Sequence, residues 1–308
     1  MSFNKNRLAE KKGTLKLRST ILRTVRDFFF DRGYTEVETP CRIPVPIPEA
    51  HIHPEVSDTW FLHTSPEICM KQMLAAGYDR IYQICRCFRR AERGSRHLPE
   101  FTILEWYAVG EDYLFSMGEC ESLFGHVARQ LGRGLTLTYQ NTSIDLTPPW
   151  PRVAVAEAFE RYSPISLDQA MARRRFDEMM GLHIEPRLGL DKPEFLIDYP
   201  ASLGALARRK PGAPQVAERF ELYAGGLELC NGFSELTDSD EQRRRFDIEQ
   251  GTRKRAGRPV HPMPDRFLAA LSAMPEAAGN ALGFDRMVML YADTAVIDDV
   301  TAFTPEDL

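Results

Sequence analysis

The 308-residue chain is long enough to bury a sizeable core as one large domain or one domain with an insertion. Its 43% hydrophobic and 27% charged content suits a soluble globular protein, and no apolar run approaches the roughly 18 residues needed to span a bilayer. A net charge of −5 argues against a nucleic-acid coat, and the stretch from Met1 to Lys16 is polar, with no signal-peptide core. Cys41, Cys69, Cys85, Cys87, Cys120 and Cys230 are scattered, which points to reduced cytosolic thiols rather than a disulfide framework. Cys85-Arg86-Cys87 has one intervening residue where zinc knuckles have two or more, and no matching pair exists, so no metal is expected there.

Ile21, Leu22, Val25, Phe28 and Phe29 recur at helical spacing, with Gly33 at the position of a C-terminal cap. Tyr34 to Thr39 is extended and ends at Pro40, and a proline-rich loop covers Pro44 to Pro54. Ser65-Pro66-Glu67 opens a helix, with serine as N-cap, proline at the first position and an acid in the first turn. Ile81 to Phe88 and Phe101 to Val109 form a long hairpin whose polar loop, Glu92 to Pro99, makes a basic tip. Arg152 to Leu182 is mostly helical, broken near Pro164, and has the character of a small helical insertion. Strands follow at Glu194 to Pro200 and at Phe220 to Leu236, the latter turning at Gly225-Gly226. A charged helix spans Asp238 to Gly257, and a strand-to-helix step closes the chain at Gly279 to Tyr291. Strands joined by hairpins predict an α+β fold with a mixed, mainly antiparallel sheet flanked by helices.

Strand parity then groups the chemistry. Asn231, Phe233 and Glu235 share a face, as do Phe101, Glu105 and Tyr107. On neighbouring strands, Glu105 and Glu235 would flank one cation while Tyr107 and Phe233 contact its methylene stem. Alone, each glutamate is also compatible with an edge carboxylate on a half-exposed sheet. Arg89, just before a loop carrying Arg90, Arg93, Arg96 and His97, suits a bidentate grip on phosphate or carboxylate; the other arginines also fit a solvated tip. Glu221 and Glu228, seven apart around the glycine turn, suit magnesium facing phosphates, or surface ion pairs. Gly283 lets a backbone approach a flat ligand, and Asp285 suits an N-cap for a helix from Met287 to Tyr291. Arg286 opposes the helix dipole, so an anion is expected beside it, either a ligand or a neighbouring carboxylate. Glu67 is a dipole-matched first-turn acid or a ligand group.

Three blocks carry a family resemblance. Phe29 to Pro40 resembles motif 1 of the class II aminoacyl-tRNA synthetases, Phe88-Arg89 through Pro99-Glu100-Phe101-Thr102 resembles motif 2, and Ala281-Leu282-Gly283-Phe284-Asp285-Arg286 resembles motif 3. Asn231-Gly232-Phe233-Ser234-Glu235-Leu236 is similar to the lysine-pocket signature of the lysyl branch. Motif 1 begins almost at once, so one catalytic domain over 1–308 with no anticodon-binding domain is expected. In this the chain resembles the freestanding paralogues that ligate β-lysine onto elongation factor P. Ser65, where lysyl-tRNA synthetases have alanine, Ala281, where their motif 3 has glycine, and Trp106 all match that type.

The resemblance implies ATP and Mg²⁺ as cofactors, lysine or (R)-β-lysine as substrate, elongation factor P as acceptor, a cytoplasmic homodimer, and no tRNA. It implies that Arg89 holds the α-phosphate and the amino acid carboxylate, and that Phe101 and Arg286 sandwich adenine above Gly283. It places His97 near the γ-phosphate, Glu228 and Leu229 on the nucleotide side, and magnesium on Glu221 and Glu228. Ser65, Pro66 and Ala281 would line the amino acid, Glu67 would receive its backbone-side amino group, and Glu105, Tyr107, Asn231, Phe233 and Glu235 its terminal ammonium. Alternatives are a truncated lysyl-type tRNA ligase and a regulatory paralogue that binds lysine and nucleotide. The chain departs from the pattern at Arg89-Arg90-Ala91, where the family has Arg-Asn-Glu and the glutamate contacts adenine; Glu92 replaces it if the loop shifts by one. Leu98 stands where an asparagine is usual, and Ser234 follows the synthetases rather than the histidine common in the ligases.

Overall fold

The computed structural model describes residues 5–308, with side chains from Leu8 onward. Its main sheet has nine strands among the described residues. From one edge they run Thr35–Glu36, Arg80–Phe88, Glu100–Val109, Ala277–Gly283, Leu227–Ser234, Ala213–Ala224, Glu194–Pro200 and Arg152–Ala154, with Arg209–Lys210 also paired to Ala213–Ala224. Only the pairings of the two outermost strands, Thr35–Glu36 and Arg152–Ala154, are parallel. Every other pairing in this sheet is antiparallel, which is the mixed architecture expected.

Register gives the sheet two unlike faces. Gln83, Glu105, Ala281, Asn231 and Glu221 lie in one cross-strand row, and Ile81, Tyr107, Gly279, Phe233 and Arg219 in the next. Because side chains alternate, both rows point the same way. Tyr82, Leu104, Trp106, Leu282, Phe220 and Leu222 point the other way and are buried against helices Lys12–Asp31, Tyr113–Gln130 and Phe284–Ala292. Phe29 shows the packing: its ring stacks on Tyr82 at 4.7 Å and meets Trp106 at 5.3 Å. Burying aromatic rings of this size stabilises the fold by about 1.5–3 kcal/mol each. A second cluster joins Ile68, Met70 and Leu74 of helix Glu67–Ala75 to Phe233, Phe246 and Leu268, closing one end of the functional face.

The Lys12–Asp31 helix ends as expected: Gly33 takes φ +74° and its N–H bonds the Phe30 carbonyl. The following strand is shorter than the sequence pattern suggests, only Thr35–Glu36. Val37 N–H still donates to the Tyr82 carbonyl, after which the chain leaves the sheet. Residues 152–154, expected to be helical, form the edge strand instead. Helices Val155–Tyr162, Leu167–Ala172 and Phe176–Met179 then follow, with the break at Ser163 and a capping box at Ser166. Asp285 is not an N-cap. The helix begins at Phe284, and the Asp285 carboxylate instead accepts from Thr102 N–H (2.7 Å) and Arg18 (2.5 Å). Helix Tyr113–Gln130, capped by Asp112, the hairpin of Thr136–Tyr139 and Thr142–Asp145, helix Asp265–Leu271 and a small sheet of Arg42–Ile43, Trp60–Leu62 and Val56–Ser57 had no counterpart in the sequence reading. Among the described residues, no helix is long and apolar enough to cross a membrane.

Candidate active site

The central strand Ala277–Gly283 presents Ala277, Gly279, Ala281 and Gly283 to the functional face, so the floor there is nearly bare backbone. Space at Gly279 is already taken: a Cβ there would lie 2.1 Å from Glu235 Oε1 and 2.5 Å from Tyr107 Cε1. Over this floor opens a cleft of about 1410 Å³. That exceeds the ~300–1,000 Å³ of a single small-molecule site and leaves room for two ligands side by side.

One end of the cleft is acidic. Glu105 accepts from Tyr107 OH (2.7 Å) and from Ser65 Oγ (2.9 Å to one oxygen, 3.2 Å to the other). Ser65 Oγ also accepts from Glu67 N–H at 3.0 Å, so the predicted cap forms, with Pro66 as the residue that precedes the helix proper. Burial, reinforced by the Glu67 charge, pushes the Glu105 carboxyl up to about 8. Burial likewise raises Glu235 to about 8, against the opposing pull of Lys71. Burial and the three neighbouring carboxylates hold the Tyr107 hydroxyl well above its usual range, so it stays a donor.

Glu235 does not stand open to the cleft as expected. Its Oε2 lies 2.5 Å from Lys71 Nζ, and its buried Oε1 has no hydrogen-bond partner. Lys71, 1% exposed, also pairs with Glu67 at 2.5 Å and sits 5.1 Å over the Phe233 ring. An internal ammonium therefore occupies part of the predicted acidic pocket. Lys71 was missed because an i,i+4 partner of Glu67 on a helix looks like an ordinary surface pair. Asn231 lines the cleft with its Oδ1 accepting from Arg219 Nε (3.0 Å), and Arg219 also donates to Glu221 (2.7 Å). Arg219 was missed too, although it shares a strand face with Glu221.

The other end is cationic. Arg89 lies over the Phe101 ring at 4.9 Å and 3.8 Å from Glu92; its Nε is buried with no partner. A bare guanidinium N–H in a cleft is a donor waiting for an acceptor. Ala91 holds φ +64°, a left-handed conformation that costs a non-glycine residue roughly 1–2 kcal/mol. The next residue, Glu92, lines the cleft together with Leu98, a buried apolar contact. Arg286 donates to the Glu228 backbone carbonyl (2.8 Å) and carboxylate (3.2 Å) and approaches His97 Nε2 at 2.6 Å. Burial, aided by the Arg286 charge, lowers the His97 pKa, so the imidazole is neutral and accepts that bond. The anion beside Arg286 in this structure is thus Glu228. Leu229 is buried next to it at the cleft wall. Glu221 accepts from Tyr223 OH at 2.6 Å, and burial raises its pKa. Glu185, which sequence reasoning did not single out, is pushed up to about 7 by burial and by the Glu228 and Glu221 charges. Gly283 caps helix Phe284–Ala292; a Cβ there would meet the Arg286 side chain at 3.5 Å.

All these predicted residues except Pro66 and Glu235 line one cleft. Two other positions fall elsewhere. Trp106 is on the core face, and Ser234 accepts from Tyr113 N–H behind the sheet at 3.0 Å. Neither touches the pocket. The hairpin tip is not a free basic patch either: Arg93 pairs with Asp298 and Glu306 (2.9 Å each), and Arg96 donates to the Gly226 carbonyl (2.8 Å).

The chain is 39% identical over 320 residues to an elongation factor P–(R)-β-lysine ligase of Erwinia tasmaniensis, covering 93% of each chain. It is 39% identical over 306 residues to the protein of that name in Vibrio cholerae, covering 94% of each. To a lysine–tRNA ligase of Moorella thermoacetica it is 36% identical over 319 residues, 96% of this chain but only 65% of that protein. Residues 2–307 match the family tRNA synthetases class II (D, K and N), and the chain belongs to that family.

Proposed function

We propose that the chain activates lysine or (R)-β-lysine with ATP and transfers the aminoacyl group to a lysine side chain of elongation factor P, in the cytoplasm and as a homodimer. The observation that carries this reading is the charge of the acidic end. Glu67, Glu105 and Glu235 carry three carboxyl groups and Lys71 supplies one ammonium, so full pairing leaves a deficit of two positive charges. A substrate with two ammonium groups on a short alkyl stem fills that deficit, and Tyr107 and Phe233 offer apolar contact to the stem. A neutral amino acid would bring one charge too few. Names of the 39%-identical relatives support elongation factor P as acceptor.

With the ammonium groups at Glu105 and Glu67, the substrate carboxylate points toward Arg89. A carboxylate oxygen attacks the α-phosphorus of ATP; its new bond forms as the bond to pyrophosphate breaks. Arg89 and Arg286 neutralise charge developing on the phosphoryl oxygens, and the fixed cleft supplies orientation. Opening Arg286 from Glu228 frees both groups for this task. Glu221, Glu228 and Glu185 are neighbouring oxygen donors, with the Glu185 carboxyl raised first by burial and then by the charges of the other two, a set that fits a divalent cation. Magnesium held there would neutralise the departing pyrophosphate. The acceptor amine then attacks the adenylate carbonyl, forming an amide and releasing AMP.

Pyrophosphate exchange with α-lysine and β-lysine, followed by mass spectrometry of elongation factor P, tests the proposal. Exchange without modification of the factor, but with charging of tRNA, would replace it with the tRNA-ligase reading. No amino acid-dependent exchange would leave a regulatory binding protein.

A further inference from the structure

Outside the catalytic cleft, the fold gathers side chains that the sequence keeps apart. Cys85 and Cys87 lie on one face of strand Arg80–Phe88, with their sulfurs 4.0 Å apart. His63 packs against them, its Nε2 3.9 Å from Cys87 Sγ, and ligand atoms of all three residues lie within 4.8 Å of one another. His63 is fully buried. Its Nε2 is 2.7 Å from the Arg86 carbonyl oxygen, and its Nδ1 has no partner. With Nε2 donating to the Arg86 carbonyl, Nδ1 is the nitrogen left to bind a metal, as in metal-binding histidines whose other nitrogen is held by a carbonyl; the 3.9 Å contact to Cys87 is made by Nε2 and is not the ligand distance.

Cys41 is the next thiol along; its sulfur lies outside that 4.8 Å cluster, and its exposed side chain would have to turn inward to serve as a fourth ligand. The pairing Arg42↔Leu62 and Ile43↔Phe61 continues so that Cys41 faces His63, whose N–H donates to the Cys41 carbonyl at 2.8 Å. Directly opposed residues hold their Cβ atoms about 4.5–5.5 Å apart on the same face. Tetrahedral zinc with thiolate bonds near 2.3 Å sets sulfur atoms about 3.8 Å apart, close to the 4.0 Å between Cys85 and Cys87; His63 and Cys41 would have to move further to complete the shell. The other thiol pair, Cys120 and Cys230, lacks this character: at 3.9 Å from each other, their neighbour is the Asn280 amide, a donor rather than a ligand.

We propose that Cys41, His63, Cys85 and Cys87 form a structural site for a thiophilic divalent metal, zinc by its donor set. The ion would clamp the hairpin of Arg42–Ile43 and Trp60–Leu62 to the edge of the main sheet. Its reach is functional: His63 lies two residues before Ser65, and Cys87 two before Arg89. One ion would thereby brace the amino acid end and the phosphate end of the cleft from its flank, on the same face of the sheet.

Elemental analysis of untagged chain purified without chelators is expected to give about one zinc per chain. Titration of reduced, metal-free chain with Co²⁺ is expected to give thiolate-to-metal charge-transfer absorption and visible bands of tetrahedral strength. C85S/C87S loses both signals. C41S, at an exposed position that leaves the core untouched, retains the visible bands with weaker charge transfer and weaker metal retention. Wild-type chain that carries no zinc and gives no cobalt charge-transfer band overturns the proposal, as does unchanged zinc content in C85S/C87S.

Discussion

One buried carboxyl held near pH 8 where the substrate's ammonium docks, Glu105, makes substrate binding a proton-release reaction. Glu105 and Glu235 both sit at about 8 because burial disfavours their charged forms. The ε-ammonium of lysine stays charged far above that pH. Pairing requires an ionised carboxylate, so binding must expel a proton whenever the pH lies below about 8. At pH 6 that ionisation costs about 2.7 kcal/mol for one group, roughly a hundredfold in affinity; from pH 8 to 9 little further gain remains. The free chain behaves in the opposite sense. Between the ordinary 4.5 of glutamate and about 8, the folded state keeps protons that the unfolded state has lost. The contribution of these two groups to the stability of the free chain is therefore fully present below 4.5 and falls as pH rises to about 8, by up to about 1.4 kcal/mol per pH unit for each group. Titration calorimetry of lysine at pH 6, 7 and 8, in buffers of different ionisation heat, is expected to show tighter binding with rising pH and net proton release that fades above pH 8. Glu105→Gln should flatten the pH dependence while weakening binding, and Glu235→Gln should abolish lysine-dependent pyrophosphate exchange. A dissociation constant independent of pH, with no proton released at pH 6, would refute the reasoning.

Three further outcomes follow from the same geometry. Lys71→Met strips Glu235 and Glu67 of their shared counter-charge; a loss of about 3 kcal/mol in denaturant unfolding is expected, with amino acid-dependent exchange lost. Gly279→Ala forces a methyl into the space of Glu235 and Tyr107, so the KM for the amino acid should rise steeply while ATP binding is kept; an unchanged KM would show that the pocket lies elsewhere. Arg89→Ala removes a guanidinium whose Nε bonds nothing, so adenylate formation should vanish with no drop in thermal midpoint.

Parity along strands made much of the site legible. Glu105 and Tyr107, or Asn231 and Phe233, are two residues apart, and a pleated backbone leaves them no choice of face. Register across the sheet then joined those pairs in the way the motifs anticipated. What parity cannot convey is which groups satisfy each other. Glu235 and Lys71 are distant in sequence, and their pairing is decided by how helix Glu67–Ala75 lies on the sheet. Asp285 was misjudged for a similar reason, since its acceptors' donors come from Arg18 and Thr102. Helix Tyr113–Gln130 did carry a signal, Asp112 ahead of Met117, Cys120, Leu123, Phe124 and Val127 at helical spacing, and it was passed over. The short strands between Arg42 and Leu62 carry almost none, because two- and three-residue segments are too brief for periodicity to register.

The bare backbone beneath the cleft also bears on how such a pocket changes its preference. With hydrogen or a lone methyl at Gly279, Ala281 and Gly283, the depth available to a ligand is fixed by main-chain spacing and resists drift. Adjustment is left to the walls, where a residue such as Ser65 can gain or lose one heavy atom without disturbing the opposite, hydrophobic side. Libraries built on these alternate positions should redistribute substrate choice, whereas the intervening residues would chiefly report on folding yield.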